Sequence, residues 1–114
     1  MSAKLSSRQV GEVTVIDIEG RLTLGDGSNA LRDELRHLIA TNRRKILVNL
    51  GDVSYIDSSG IGQLVAGFTT VSNQGGKLKL VKVNKRIKDL LHMTRIAAIF
   101  EMYEDESAAV LSFA

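Results

Sequence analysis

The sequence predicts an α/β domain built on one largely parallel sheet. Three observations carry this reading. Runs rich in β-branched residues alternate with amphipathic stretches at helical spacing, Ile46-Leu47-Val48-Asn49-Leu50 is a nearly continuous apolar run, and no repeat, low-complexity tract or proline-rich linker breaks the chain. Parallel neighbours need crossover connections, which intervening helices supply. A strand with almost no polar face suits the centre of a sheet covered on both sides. At 114 residues the chain fits one domain with a single core, so residues 1–114 are read as one unit.

The elements follow in order. Val13, Val15, Ile16 and Ile18 make Glu12 to Ile18 a strand, closed by Gly20. Residues 23–27, Thr-Leu-Gly-Asp-Gly, form a loop, after which Leu31, Leu35, Leu38 and Ile39 trace one helix face, with Ser28 or Asn29 expected as its cap. The central strand over Ile46–Leu50 comes next. Ile61, Leu64, Val65, Phe68 and Val71 mark a second helix that Gly75-Gly76 stops. Leu78 to Val83 alternates lysines with apolar residues and is expected to be a strand with one wetter face. Asn84 is placed to cap a third helix with an inward stripe of Ile87, Leu90 and Leu91. Ile99 to Tyr103 is a short strand, and Asp105 or Ser107 caps a terminal helix that turns Ala109, Val110 and Phe113 inward. That makes about four helices, and the sheet has room for an antiparallel strand at its edge.

Composition narrows the function. With no cysteine, disulfides, thiol catalysis and thiolate zinc sites are excluded. No apolar run reaches the length of a membrane span and the N-terminus lacks the order of a signal peptide, so a cytoplasmic protein is expected. The net charge of +2 does not by itself imply nucleic acid. Lysines and arginines crowd residues 77–95, but no aromatic interleaves them as a stacking platform would need. They read as a solvated face, or as a surface that steers an acidic partner.

The most informative stretch is Tyr55-Ile56-Asp57-Ser58-Ser59-Gly60-Ile61-Gly62. A strand ends here and a helix begins, which puts Ser58 beside backbone N–H groups without intrahelical partners, in a field that tolerates negative charge. Asp and Ser are also simply good N-cap residues, contributing on the order of 1 kcal/mol each. Gly62 is harder to explain that way, because glycine weakens a helix unless close approach or backbone freedom is needed.

Other chemistries fit poorly. His37 and His92, the two histidines, read as surface residues of the first and third helices, and the turn is not a Gly-x-Ser-x-Gly elbow. A small serine hydrolase would need one of them beside Ser58. There is no Gly-x-x-x-x-Gly-Lys-Ser/Thr motif for a nucleotide and no calcium-ligand spacing. No catalytic residue, cofactor or metal is assigned.

The whole chain resembles the STAS domain family, the bacterial anti-sigma factor antagonists related to the cytoplasmic domains of sulphate transporters. Val48 through Gly62 is similar to the family's strand, phosphorylation loop and helix, and Gly75-Gly76-Lys77-Leu78 with Val81 to Leu91 to its next strand and helix. The resemblance implies a mixed, mostly parallel sheet of four or five strands with helices mainly on one side. It also implies binding to an anti-sigma factor that is a serine kinase, release of a sigma factor, phosphorylation of Ser58 to end binding, and a phosphatase that reverses it. Direct nucleic-acid binding and membrane insertion are not expected. Asp57, Ser58, Ser59, Gly60, Ile61 and Gly62 would meet the partner, Gly60 and Gly62 by letting its backbone approach. Thr23 stands where the family often has an acidic residue, with Asp26 nearby to replace it. A non-switching adaptor in a sensory or lipid-transport assembly is the alternative within the same family.

Overall fold

The computed structural model describes residues 3–114. Its strands are β1 (Lys4–Val10), β2 (Val13–Leu22), β3 (Lys45–Ile56), β4 (Lys77–Val81) and β5 (Met102–Tyr103). Its helices are α1 (Asp26–Ala40), α2 (Ser58–Asn73), α3 (Lys85–Met93) and the short α4 (Glu106–Leu111). The strands lie side by side in chain order. β1 pairs antiparallel with β2, and every later neighbour is parallel. The expected α/β domain with a mixed, mostly parallel sheet is what forms.

Pleating explains the unbroken apolar run in β3. Successive side chains point to opposite faces. Ile46, Val48 and Leu50 join the larger core with Leu31, Leu35 and Leu38 of α1, Leu64 and Val71 of α2, and Ile87 and Leu91 of α3. Leu47 points the other way, into a smaller cluster of Val13, Val15, Val81, Ala109 and Phe113 beneath α4. Both faces are therefore dry at the sheet centre.

β1 is absent from the sequence reading, which allowed only for an antiparallel edge. Its composition, Lys-Leu-Ser-Ser-Arg-Gln-Val, carries little apolar periodicity because most of the strand is exposed. Tertiary pairing selects it. A tight turn with Gly11 at φ 61° returns the chain to β2, and Arg8 reaches Asp17 at 2.7 Å and Glu106 at 2.5 Å. Those contacts hold both carboxylates below their usual range, the Arg8 hydrogen bond being the first cause in each case.

Three other expectations change. α1 starts at Asp26, with Gly25 as its N-cap, so neither Ser28 nor Asn29 caps it. Ser28 is buried inside the first turn, where its N–H donates to the Thr23 carbonyl at 2.9 Å. The strand expected over Ile99–Tyr103 shortens to Met102–Tyr103, because Ala97–Ile99 forms a 3₁₀ turn that buries Phe100. The caps expected at Asn84 and Asp105 do form, accepting from the N–H groups of Ile87 and Ala108 at 2.9 Å each.

The third change concerns Lys79, which was read among the solvated lysines. It is 3% exposed. Its ammonium donates to the carbonyl and hydroxyl oxygens of Ser112 at 3.0 Å each and lies 4.6 Å from the centre of the Phe113 ring. Segment 106–113 covers this side of β4, so an outward position in the strand becomes an interior one. Lys79→Ala is expected to cost about 2 kcal/mol, since charge-assisted bonds to half-buried Ser112 and the 3.4 Å ion pair with Glu101 are lost. Thermal unfolding should then fall by about 8 °C.

Candidate functional site

β2 and β3 are parallel neighbours, so the loops that follow them leave the same end of the sheet. Ligand sites in open α/β sheets gather beyond the carboxyl ends of the strands. Here the loop Thr23–Gly25 leads into α1, and Asp57 leads into α2.

Asp57 fastens the two loops together. It is the N-cap of α2, and its Oδ1 accepts from the Gly60 N–H at 3.0 Å. Its Oδ2 accepts from the Leu24 N–H at 3.0 Å, across the gap to the preceding loop. Its own N–H donates to the Leu22 carbonyl at 3.3 Å, and its carbonyl accepts from Ile61 at 3.0 Å. Hydrogen bonds from backbone donors stabilise the ionised form. The carboxyl group is accordingly held below the usual carboxylate range, chiefly by Leu24 and then by Gly60.

The sign of the resulting pH dependence follows from that direction. A carboxyl whose folded pKa is depressed stabilises the fold above its unfolded value of about 3.9 and loses that contribution as pH falls through the folded value. The tie to Leu24 should therefore hold at neutral pH and open in acid. Asp57→Asn is expected to leave the helix cap largely intact, because Asn is an equally good capping residue. It should nevertheless loosen the Leu24 tie, visible as faster amide hydrogen exchange at Leu24 with little change at Ile61.

Around this tie the sequence-derived site residues divide into two groups. Ser58 and Gly62 are exposed, Ser59 is half-buried, and the Ser58 hydroxyl makes no hydrogen bond among the described residues. Asp26 is exposed in the first turn of α1, and Thr23 is half-buried. Gly60 and Ile61 are buried. Ile61 faces the core, so its part in any interface is indirect. The close approach at Gly60 is internal rather than to a partner: a Cβ there would lie 2.2 Å from the Leu22 carbonyl oxygen and 2.8 Å from Ile56 Cγ1. A Cβ at Gly62 would meet nothing within 4 Å.

Neither histidine supplies a base for Ser58 in this arrangement. His37 is exposed in the last turn of α1, eleven residues and about 16 Å along the helix from the end that meets Asp57. His92 is exposed in the last turn of α3, and neither imidazole hydrogen-bonds a serine among the described residues.

The structure adds residues that the sequence reading passed over. Leu24 holds Asp57 through its N–H while its side chain is 79% exposed. Arg21 lies over the Tyr55 ring, 5.1 Å from its centre. A leucine inside a Thr-Leu-Gly-Asp-Gly loop was a visible signal, since large apolar side chains on loop tips have no core to join.

The model of the STAS domain family matches residues 4–109. The chain is 38% identical over 72 residues to the anti-sigma-B factor antagonist of Bacillus subtilis, covering 63% of this chain and 65% of that protein. It is 28% identical over 65 residues to the anti-sigma F factor antagonist of Paenibacillus polymyxa, covering 57% of this chain and 56% of that protein. These matches span less than two thirds of either relative. Among solved structures, the anti-sigma-factor antagonist (STAS) domain protein of Planctomyces limnophilus superposes with a TM-score of 0.84 at 25% identity, covering 96% of this chain and 97% of that one. The phosphorylated form of the Bacillus cell fate determinant SpoIIAA gives a TM-score of 0.77 at 18% identity, covering 97% and 100%, a likeness of fold. With the family model spanning nearly the whole chain and the five-stranded sheet in agreement, the chain belongs to the STAS domain family.

Proposed function

We propose that this chain is an anti-sigma factor antagonist that works by partner switching. Unmodified, it binds an anti-sigma factor that is also a serine kinase and so frees a sigma factor. Phosphorylation of Ser58 ends that binding, and a serine phosphatase restores it. These events belong in the cytoplasm, and no helix among the described residues is long and apolar enough to cross a membrane. The observation that carries the reading is Ser58 itself: an exposed, unpartnered hydroxyl at the start of α2, on a turn held rigid by Asp57.

The chemistry divides between the two proteins. Ser58 Oγ attacks the γ-phosphorus of ATP bound to the kinase, the bond to the β–γ bridging oxygen breaks, and ADP departs. A base on the kinase takes the hydroxyl proton. This chain contributes the acceptor and its position, with Asp57 shaping the field beside it. The product suits its surroundings, because the first turn of a helix favours an anion.

Intact-protein mass spectrometry tests this after incubation with ATP, magnesium and each kinase-type anti-sigma factor of the same genome. One added phosphate that disappears in Ser58→Ala and persists in Ser59→Ala is the expected result. Binding without phosphate transfer would favour the non-switching adaptor.

A further inference from the structure

Next to the phosphoacceptor turn runs a groove of about 550 Å³, between the end of β3 and α3. Ile56, the residue before Asp57, lines it together with Tyr55, Ile87, Leu90 and Met93, and its charged wall carries Lys85, Arg86 and the single carboxylate Asp89. Ile56 and Ile87 are almost wholly buried and form its base, while Tyr55 is 43% and Met93 81% exposed. A methionine left this open does nothing for the core. Flexible, polarizable methionines instead recur where a surface must accept another protein.

The charges beside the groove break a local rule. Lys85 and Arg86 occupy the first turn of α3, which contains no acidic residue. Cations there oppose the helix dipole and weaken the helix. Lys85 is offset by Asp89 at 3.0 Å, but Arg86 makes no ion pair among the described residues. Violations of local preference without an internal compensation are expected at functional sites.

We propose that this groove seats an acidic amphipathic helix of the anti-sigma partner, resting on the reading of Ser58 given above. An apolar side chain enters between Tyr55 and Met93, and a neighbouring carboxylate meets Arg86, while Lys85 offsets Asp89 on the groove's own wall. From Arg86 to Met93 the groove runs about 10 Å, enough for two turns of a docked helix. A second copy of this chain is the poorer occupant, because a twofold contact pairs the same patch with itself, and that patch carries two cations, Lys85 and Arg86, against one carboxylate, Asp89. Docking here also explains how one phosphate could control the complex, since the groove and Ser58 share the same few residues of chain.

The test measures affinity for whichever kinase-type anti-sigma factor binds the unmodified chain most tightly. Met93→Glu and Arg86→Glu are each expected to weaken binding at least tenfold, the second more strongly at low salt than at high salt. Glutamate in the first turn of α3 suits the helix dipole, and an unchanged thermal melt of Arg86→Glu separates a loss of binding from a loss of fold. Leu111→Glu, at a 72% exposed leucine on α4, serves as the control and should bind as the parent does. If Ser58→Asp weakens binding while Met93→Glu and Arg86→Glu leave it unchanged, the groove proposal is overturned and the Ser58 reading stands. If no anti-sigma factor binds the unmodified chain, both fail together.

Discussion

Phosphorylated at Ser58, the protein is expected to bind its anti-sigma partner about a hundredfold more weakly while unfolding at the same temperature to within a few degrees. The two halves of this result have separate causes. The phosphate adds about −1.5 to −2 charges and three strong acceptors. Within the free domain it sits on an exposed side chain at the N-terminal end of α2, where the dipole accommodates it. Within a docked interface it must be desolvated beside the Asp57 carboxylate, which is held in its ionised form by Leu24 and Gly60. A penalty of about 3 kcal/mol corresponds to the hundredfold loss. Ser58→Asp carries only one charge on a shorter side chain and should lose about tenfold. Calorimetric titration with scanning calorimetry on the same samples checks both halves. A large fall in melting temperature on phosphorylation would instead mean that the switch works by refolding.

The second large effect separates two glycines that look alike in the sequence. Gly60→Ala is expected to cost about 3 kcal/mol and to lower the melting temperature by about 12 °C. The added Cβ would press on a backbone oxygen, Leu22 O at 2.2 Å, in the strand end that also bonds Asp57. Neither side yields cheaply, because the Leu22 carbonyl and the α2 N-terminus are both fixed by the turn. Gly62→Ala should behave in the opposite sense. Its Cβ enters open space, and replacing glycine in a helix gains roughly 0.5–1 kcal/mol. If Gly62 is retained for the approach of a partner backbone, the same variant should be more stable yet bind less tightly. Thermal melts of both variants, followed by partner titration of the second, read this out.

What the sequence made legible were the features with local causes. The helix of residues 58–73 and its start at Asp57 were readable because a strong cap precedes an apolar stripe. The alternation of strands and helices was readable from periodicity. β1 was not, because an exposed edge strand owes its conformation to β2 and to the Arg8 contacts rather than to its own pattern. Lys79 was misread for a related reason: which face of β4 is wet depends on where the last helix docks, a contact 33 residues away. At the site, an exposed serine at a helix start was legible in Asp57-Ser58-Ser59-Gly60, whereas the role of Gly60 needed coordinates. A glycine required by a partner and a glycine required by Leu22 have the same letter.

The measurement that tests the partner switch most directly starts from a preformed complex of anti-sigma and sigma factor, with the sigma factor labelled. Fluorescence anisotropy then follows release as this protein is added. The account predicts release by the unmodified chain, none by the chain phosphorylated at Ser58, and recovery of release after phosphatase treatment. Equal release by the phosphorylated and unmodified forms would contradict it, as would an unmodified chain that binds the anti-sigma factor yet leaves the sigma factor in place.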